Sequence, residues 1–513
     1  MRRTLTAALV AVAIMALPAP AARAAPGGCA ALTRLPGVES AVAGADYCDV
    51  TGTLPPHERY EIKLPLRNWT GQYVQQGCSG LCGAVPELTL PLFGFQCAPA
   101  VDKRVVLAAS DSGHTGADPG DGIWGADDPA ARVDFGLTSE HKLKVFADVV
   151  TRAFYGHEPT YRYFDGCSTG GRQGLNLAER FPADFDGILA GAPAHNLAPL
   201  ALSNAWLAQK NKGDILPPAK LPVLHAAVQR ACGELIEDPR TCGFQPSSIQ
   251  CAGVDRPDCL TRAQVAVAVA AYRGPSDARG RNLYNGGFAY GSELSWHGWF
   301  VGPDPFAARI GLAYFKNLAY PRNPPADFTL DDVTFTEATF DRLQILGDAI
   351  YNATSPDLSA FRAHGGKLIV FHGWADAQIS PFSTLDWYAA VERHAGGFAP
   401  SQEFSRLYLI PGGYHCLFGP EVDRPSEIGV PEFLTPLMAW VERREAPDAI
   451  DVPTITATDP PDLVRYLTVD PSDALSPPPA APGSLNANYH YLGDQQDGIF
   501  GPEFSHTEGS SAR

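Results

Sequence analysis

Three residues of this chain have the types and the order that acyl transfer needs: Ser168, Asp376 and His415. Ser168 lies in Gly166-Cys167-Ser168-Thr169-Gly170, a G-x-S-x-G pentapeptide between a strand-like and a helix-like run. In that context the pentapeptide lifts a serine hydroxyl onto a sharp corner, with glycines where side chains would strike the strand or helix alongside. Such a serine attacks a carbonyl only with a base to take its proton and a carboxylate to orient the base. "KLIVFHGWADAQIS" places Asp376 in a loop after an apolar run, and "RLYLIPGGYHC" does the same for His415. Serine, acid, histidine is the chain order of hydrolases that carry their serine on such a turn.

Rival residues fit less well. Asp165 is too near Ser168 in sequence to reach the far side of an imidazole, and Asp386 falls inside a helical run. His372, just before Asp376, fits a structural role, and His114 in "ASDSGHTG" fits a packing or hydrogen-bonding one. Cys167 directly precedes the serine and Cys416 directly follows the histidine. If Ser168 and His415 meet, these neighbours come within disulfide reach. A bridge across about 250 residues is worth roughly 5 kcal/mol in the chain-entropy model.

The elements that must position these residues alternate in kind. "GQYVQQG", "RVVLAAS", "RYFDG" and "FDGILAGAP" have strand character, and "HKLKVFADVVTRAFYG" is helical between two of them. Strands alternating with helices predict a mostly parallel sheet with crossover helices, an α/β fold. From about Leu197 to Thr354 the alternation stops. A helix over Leu200–Lys210, a cysteine-rich segment, a helix over Ala263–Tyr272 and "NGGFAYGSELSWHGWF" follow. Strand–helix order resumes at "GGKLIVFHGWAD", with helices in "STLDWYAAVERHAG" and "FLTPLMAWVERREAP". The expected organisation is a core over 25–196 and 355–513, interrupted by a lid over 197–354. The proline-rich "PSDALSPPPAAPGSLN" is expected to run extended over the surface.

The 513 residues carry a net charge of −17, which repels phosphate backbones and excludes nucleic acid as a partner. "MRRTLTAALVAVAIMALPAPAARA", residues 1–24, has a basic start, a short apolar run and a small-residue end, and is expected to be a signal cut after Ala24. Arg2-Arg3 hints at twin-arginine export. No later segment is apolar enough to span a bilayer, so a secreted or periplasmic protein is expected. In an oxidising compartment the eleven cysteines are disulfide candidates before metal ligands, and an odd count leaves one unpaired.

"GCSTGGRQGL", "FPADFDGILAGAPA", "HGWAD" and "PGGYHC" make the chain resemble the tannase and feruloyl esterase family, which includes bacterial mono(hydroxyethyl) terephthalate hydrolases. The shared hallmark is Cys167-Ser168, Asp376 and His415-Cys416, with the two cysteines bridged beside the triad. The resemblance implies an α/β-hydrolase core with a large lid, acting on small aromatic esters, hydroxycinnamoyl, galloyl or related, through an acyl-enzyme. It implies an oxyanion hole from the N–H of Thr169 and a second donor in "QQGCSGLCG", around Gly77 and Cys78. Two of Cys78, Cys82 and Cys97 are expected to pair, along with Cys29–Cys48, Cys232–Cys242 and Cys251–Cys259. Family members commonly hold calcium between two bridged cysteines. Here "CGELIEDPRTC" is short, and Glu234, Glu237 and Asp238 are too few for six to eight oxygen ligands. No metal or other cofactor is therefore expected.

Trp296, Trp299 and Phe300 form either the lid's own core or an aromatic wall for a phenolic acyl group. Arg309 and Arg322 are candidates for a carboxylate clamp. A peptidase on the same fold and a non-catalytic secreted binding protein are the alternatives.

Overall fold

The computed structural model describes residues 28–94, 96–417, 428–455, 463–476, 478–482 and 484–486, and the predicted signal at 1–24 lies outside them. Its strands are β1 (Val38–Ala43), β2 (Tyr47–Leu54), β3 (Glu58–Pro65), β4 (Gln72–Gln76), β5 (Val106–Ser110), β6 (Tyr161–Cys167), β7 (Gly187–Gly191), β8 (Lys367–Gly373) and β9 (Ser405–Ile410). They form one nine-stranded sheet in the order β1-β2-β3-β5-β4-β6-β7-β8-β9. From β5 to β9 every pairing is parallel. β5, β7 and β9 are buried along their whole length, as strands covered on both faces are.

Alternate residues of these strands enter two different cores, because successive side chains of a strand point to opposite faces. Val106, Ala108, Leu368 and Val370 join one core, which α1 (Ser139–Tyr155), α2 (Thr169–Arg180) and α3 (Pro381–Ala395) cover through Leu143, Leu175 and Phe382. Leu107, Ala109, Ile369 and Phe371 join the other, covered by α4 (Leu434–Arg443) through Leu434 and Leu437.

Ahead of "GQYVQQG", the first strand legible in the sequence, an antiparallel meander β1–β3 joins the sheet at β5. β2 alternates buried and partly exposed positions through Thr and Gly, a weak signal beside the solid apolar runs of the central strands.

Between β7 and β8 lies the region expected as a lid, with helices at Leu197–Lys210, Leu221–Cys232, Arg262–Arg273, Phe306–Asn317 and Glu337–Leu346. It has apolar cores of its own, one around Leu224, Tyr272, Trp296 and Phe300 and one around Leu202, Phe315 and Leu343. The second also contains Cys78, Leu81 and Cys82, so a loop of the sheet domain is packed into the insertion. The described tail residues from 471 to 482 stay at the surface apart from Ala474, and the expectation needs correction only at the tail's end. Ser484, Leu485 and Asn486 are buried against the insertion. Asn486 accepts the Tyr290 N–H at 3.0 Å and donates to the Phe288 carbonyl at 3.1 Å, satisfying backbone that has no strand partner there.

Candidate active site

β6 ends at Cys167 and α2 begins at Thr169, leaving Ser168 alone on the corner with φ 63° and ψ −120°. A β-carbon on Gly166 would stand 2.6 Å from the Gly170 carbonyl carbon, so strand and helix approach this closely only with glycine at that position. Three backbone bonds hold the strained conformation: Ser168 N–H to Gly191 O at 2.9 Å, and Ser168 O accepting from Arg172 and Ala194, both at 3.0 Å. Strain of this kind, fixed by its surroundings, presents the hydroxyl outward.

Asp376 follows β8 and His415 follows β9, in loops at the carboxyl ends of neighbouring parallel strands. His415 Nδ1 donates to Asp376 Oδ2 at 2.7 Å, which leaves Nε2 as the nitrogen that can serve as a base. Asp376 is fully buried. Its Oδ1 accepts the N–H groups of Gln378 at 2.7 Å and Ile379 at 3.0 Å, and its Oδ2 also faces His372 Nε2 at 3.0 Å. Burial by itself would raise this carboxyl; the charge of His415 and the hydrogen bonds from both histidines outweigh it and hold it well below the usual carboxylate range. His372 is thus attached to the acid itself. Asp165 is buried and accepts the Phe93 N–H at 3.0 Å, and Asp386 pairs with Asn285, so neither rival approaches His415.

Cys167 and Cys416 are bridged with their Cα atoms 5.9 Å apart, which ties the loop that carries His415 to the elbow that carries Ser168. The other bridges are Cys29–Cys48, Cys78–Cys82, Cys232–Cys242 and Cys251–Cys259, and Cys97 is the free, buried thiol. The open choice among Cys78, Cys82 and Cys97 therefore falls to the first two.

Two cavities flank the corner. One of about 370 Å³ is lined by Ser168 and Thr169 with Leu197, Leu200, Ala201 and Ile310. The other, of about 320 Å³, is lined by His415, Cys167 and Cys416 with Gln76, Ser295, His297 and Tyr414. Ser79, Trp299 and Gln378 line both and stand between them.

The aromatic cluster divides. Trp296 is wholly buried and donates its indole N–H to Ser292 Oγ at 2.9 Å, and Phe300 packs on it, so both belong to the insertion's core. Trp299 alone faces the cavities. Arg309 lines the first cavity, ion-paired with Asp118 at 3.0 Å, whereas Arg322 is exposed and lines neither. His114 packs against Trp124 and holds the Leu81 carbonyl at 2.8 Å; burial pushes its imidazole down to about 4.

The expectation for Gly77 and Cys78 is corrected. The Gly77 N–H donates to Asp165 O at 3.0 Å and the Cys78 N–H to Gln173 Oε1 at 3.1 Å, so both point into the protein. Among the described residues the N–H of the next residue, Ser79, has no protein acceptor. Ser79, Gln378 and His297 line the cavities without having stood out in the sequence. Residue type carried no signal for them, because their places depend on loop direction.

Cys232 to Cys242 does not fit calcium. Asp238 accepts from Arg240 through both carboxylate oxygens, at 2.9 and 2.5 Å, while Glu234 and Glu237 are exposed. An arginine already neutralises the one inward carboxylate.

A model of the tannase and feruloyl esterase family matches residues 40–474. The chain is 32% identical to the mono(2-hydroxyethyl) terephthalate hydrolase of Piscinibacter sakaiensis, over 81% of this chain and 79% of that protein. It is 30% identical to a probable feruloyl esterase B-2 of Aspergillus flavus, over 76% of each. Among solved structures, feruloyl esterase B from Aspergillus oryzae superposes with TM-score 0.70 at 24% identity, covering 87% of this chain and 90% of that one. The tannin acyl hydrolase of Aspergillus niger gives TM-score 0.67 at 21% identity, covering 89% and 92%. At those identities the structures establish the fold, an α/β-hydrolase.

Proposed function

The chain belongs to the tannase and feruloyl esterase family and is a carboxylesterase, and from that premise we propose that it is an exported enzyme cleaving esters of aromatic, phenolic acids through Ser168, His415 and Asp376. The observation that carries this reading is the 2.7 Å bond between His415 and Asp376, on a loop that the Cys167–Cys416 bridge joins to the elbow of the strained serine.

Ser168 Oγ attacks the ester carbonyl while His415 Nε2 takes its proton, and Asp376 stabilises the imidazolium that forms. The N–H groups of Thr169 and Ser79 receive the developing oxyanion. His415 then gives the proton to the departing alkoxide, and a water that it deprotonates releases the acid from Ser168. Because the leaving oxygen must collect its proton from Nε2, the alcohol lies in the cavity that His415 lines. The acyl group lies in the cavity beside Ser168, whose Leu197, Leu200, Ala201, Ile310 and Trp299 walls suit a flat ring. Ser295, His297, Gln378 and Tyr414 on the other side suit an alcohol carrying further hydroxyl groups. Trp299 and Ile310 come from the insertion, which thereby acts as the lid of both cavities.

Export is supported by the leader composition and by five disulfides. No helix among the described residues is long and apolar enough to cross a membrane. No step runs through a metal.

Purified protein and Ser168→Ala, given methyl ferulate, methyl gallate and a peptide amide side by side, test the reading. Wild type should cleave the aromatic esters, leave the amide intact and label at Ser168 with a fluorophosphonate, and the variant should do none of these. Amide cleavage would make it a peptidase, and an unlabelled wild type would make it a binding protein.

A further inference from the structure

We propose that Gln173 is a positioning residue for the esterase reaction: backed by Glu140, it fixes the loop that presents the Ser79 N–H to the oxyanion. The inference rests on the esterase reading above.

Thr169 and Gln173 are four residues apart on α2 and therefore share one helix face. Both grip the same loop. The Thr169 hydroxyl donates to the Gly80 carbonyl, and Gln173 Oε1 accepts the Cys78 N–H at 3.1 Å. Ser79 sits between these two points, so the helix that presents the Thr169 N–H also sets where the Ser79 N–H stands. The packing leaves little slack: a β-carbon on Gly77 would lie 2.8 Å from Gln173 Oε1.

An amide can turn over, and the reversed orientation would set an N–H against the Cys78 N–H. Glu140 prevents it. Gln173 Nε2 donates to Glu140 Oε1 at 2.8 Å and to Ser112 Oγ at 2.9 Å, and Glu140 when ionised accepts only, so the amide oxygen faces the loop, where the Cys78 N–H needs an acceptor. Glu140 Oε2 is held in turn by Gln75 Nε2 at 2.6 Å. Gln75, Ser112, Glu140 and Gln173 are all buried. In such surroundings an unmatched polar group is costly, so the chain from β4 through α1 and α2 to the loop has one stable arrangement. His114 on Leu81 O and the Cys78–Cys82 bridge restrain the loop's other side.

The test is steady-state hydrolysis of methyl ferulate by Gln173→Met and Gln173→Glu, with melting temperatures. Methionine keeps the length and loses the acceptor. We expect kcat to fall on the order of 10- to 100-fold with KM within about threefold, as for a displaced oxyanion donor. Glutamate sets a second carboxyl against Glu140. Burial already holds the Glu140 carboxyl up at about 7, with Asp111 adding negative charge nearby, hydrogen bonds from Gln75 and Ser112 and the charge of Arg172 opposing it, and the raised carboxyl of Glu58 staying protonated over most of this range. The pair therefore takes up one proton as pH falls, which restores a donor towards Glu140 and an acceptor towards Cys78. The Gln173→Glu deficit relative to wild type should shrink steadily from pH 8 to pH 5. A merely structural role would not give that recovery. A folded Gln173→Met with unchanged kcat, or a loss confined to KM, overturns the proposal. Should Gln173→Met not fold, a Gln173→Glu deficit independent of pH overturns it. Wild type inactive on esters would remove the site reading and this inference together, whereas active wild type with unaffected variants removes only this one.

Discussion

Two loops meet across Ser168 and hold their groups by opposite means. On one side Asp376 and His415 meet through their side chains, joined by a bond of 2.7 Å, and a disulfide that spans 249 residues fastens their loops to the elbow. On the other side the loop around Ser79 offers a backbone N–H, and its side chains serve to anchor it, through a disulfide that spans only 4 residues and through Gln173. The acid–base side is specified by which residues are present. The oxyanion side is specified by which way the backbone faces, and substitution reaches it only through its supports.

The strongest way to break this contrast is to remove the side-chain chemistry outright. Ser168→Ala and His415→Ala should each lower kcat for methyl ferulate by on the order of 10⁴-fold or more, because the triad acts as a unit. A residual rate within tenfold of wild type in either variant would mean that the nucleophile or base lies elsewhere.

The two disulfides sharpen the contrast at the next level. Replacing Cys167 and Cys416 together with Ala should cost roughly 5 kcal/mol in urea unfolding, since the loop it closes is long. The same change at Cys78 and Cys82 should cost about 2 kcal/mol, and its larger signature should be in kcat, because the freed loop carries the proposed oxyanion donor. Equal stability losses with equal rate losses would erase the distinction between the two sides.

The same division governs what the sequence reveals. Ser168, Asp376 and His415 announce themselves because a glycine-rich turn and two apolar runs each end at a residue of the right chemistry. Gly77 and Cys78 look like donors in the sequence, yet their N–H groups turn inward, and no residue type encodes that direction. Trp296, Trp299 and Phe300 lie within five positions, in a stretch without helical or strand periodicity, so which ring meets the cavity is decided by tertiary packing alone. The parallel strands are legible as solid apolar runs. The meander β1–β3 is not, because half of its residues are not buried and these include Ser, Thr and charged types.

The oxyanion side also predicts a pH dependence of stability. Burial raises the Glu140 carboxyl from an ordinary 4.5 to about 7, and the Glu58 carboxyl to about 8. A raised folded-state value means the folded protein binds more protons, so this stabilisation is complete below about pH 4.5 and is lost as pH rises through 7. Glu140 alone contributes about 3 kcal/mol to that slope. Glu140→Gln cannot ionise and should flatten the urea midpoint between pH 5 and pH 8 relative to wild type. A variant with the wild-type slope would show that the carboxyl is not the group that titrates.

The smallest effect belongs to His372, and it tests whether the acid–base side is truly self-sufficient. His372 is fully buried, with Nδ1 at 2.9 Å from Thr384 Oγ1 and Nε2 facing both Asp376 Oδ2 at 3.0 Å and Ile379 O at 3.1 Å. Two acceptors at Nε2 place a proton there, so His372 donates to Asp376 from behind while His415 holds it from the front. Replacing it with Phe fills the space and removes one of four donors to a buried carboxylate. Three donors remain, and the backbone pair from Gln378 and Ile379 still fixes the carboxylate plane. Losing one such bond is worth about 1–3 kcal/mol, shared between folding and the imidazolium-bearing transition state. His372→Phe should therefore lower kcat by about tenfold, with KM unchanged within twofold, while Ser168 still reacts with a fluorophosphonate. A loss as deep as that of His415→Ala would instead make His372 part of the proton-transfer chain, and the two sides of the elbow would then differ less than their geometry indicates.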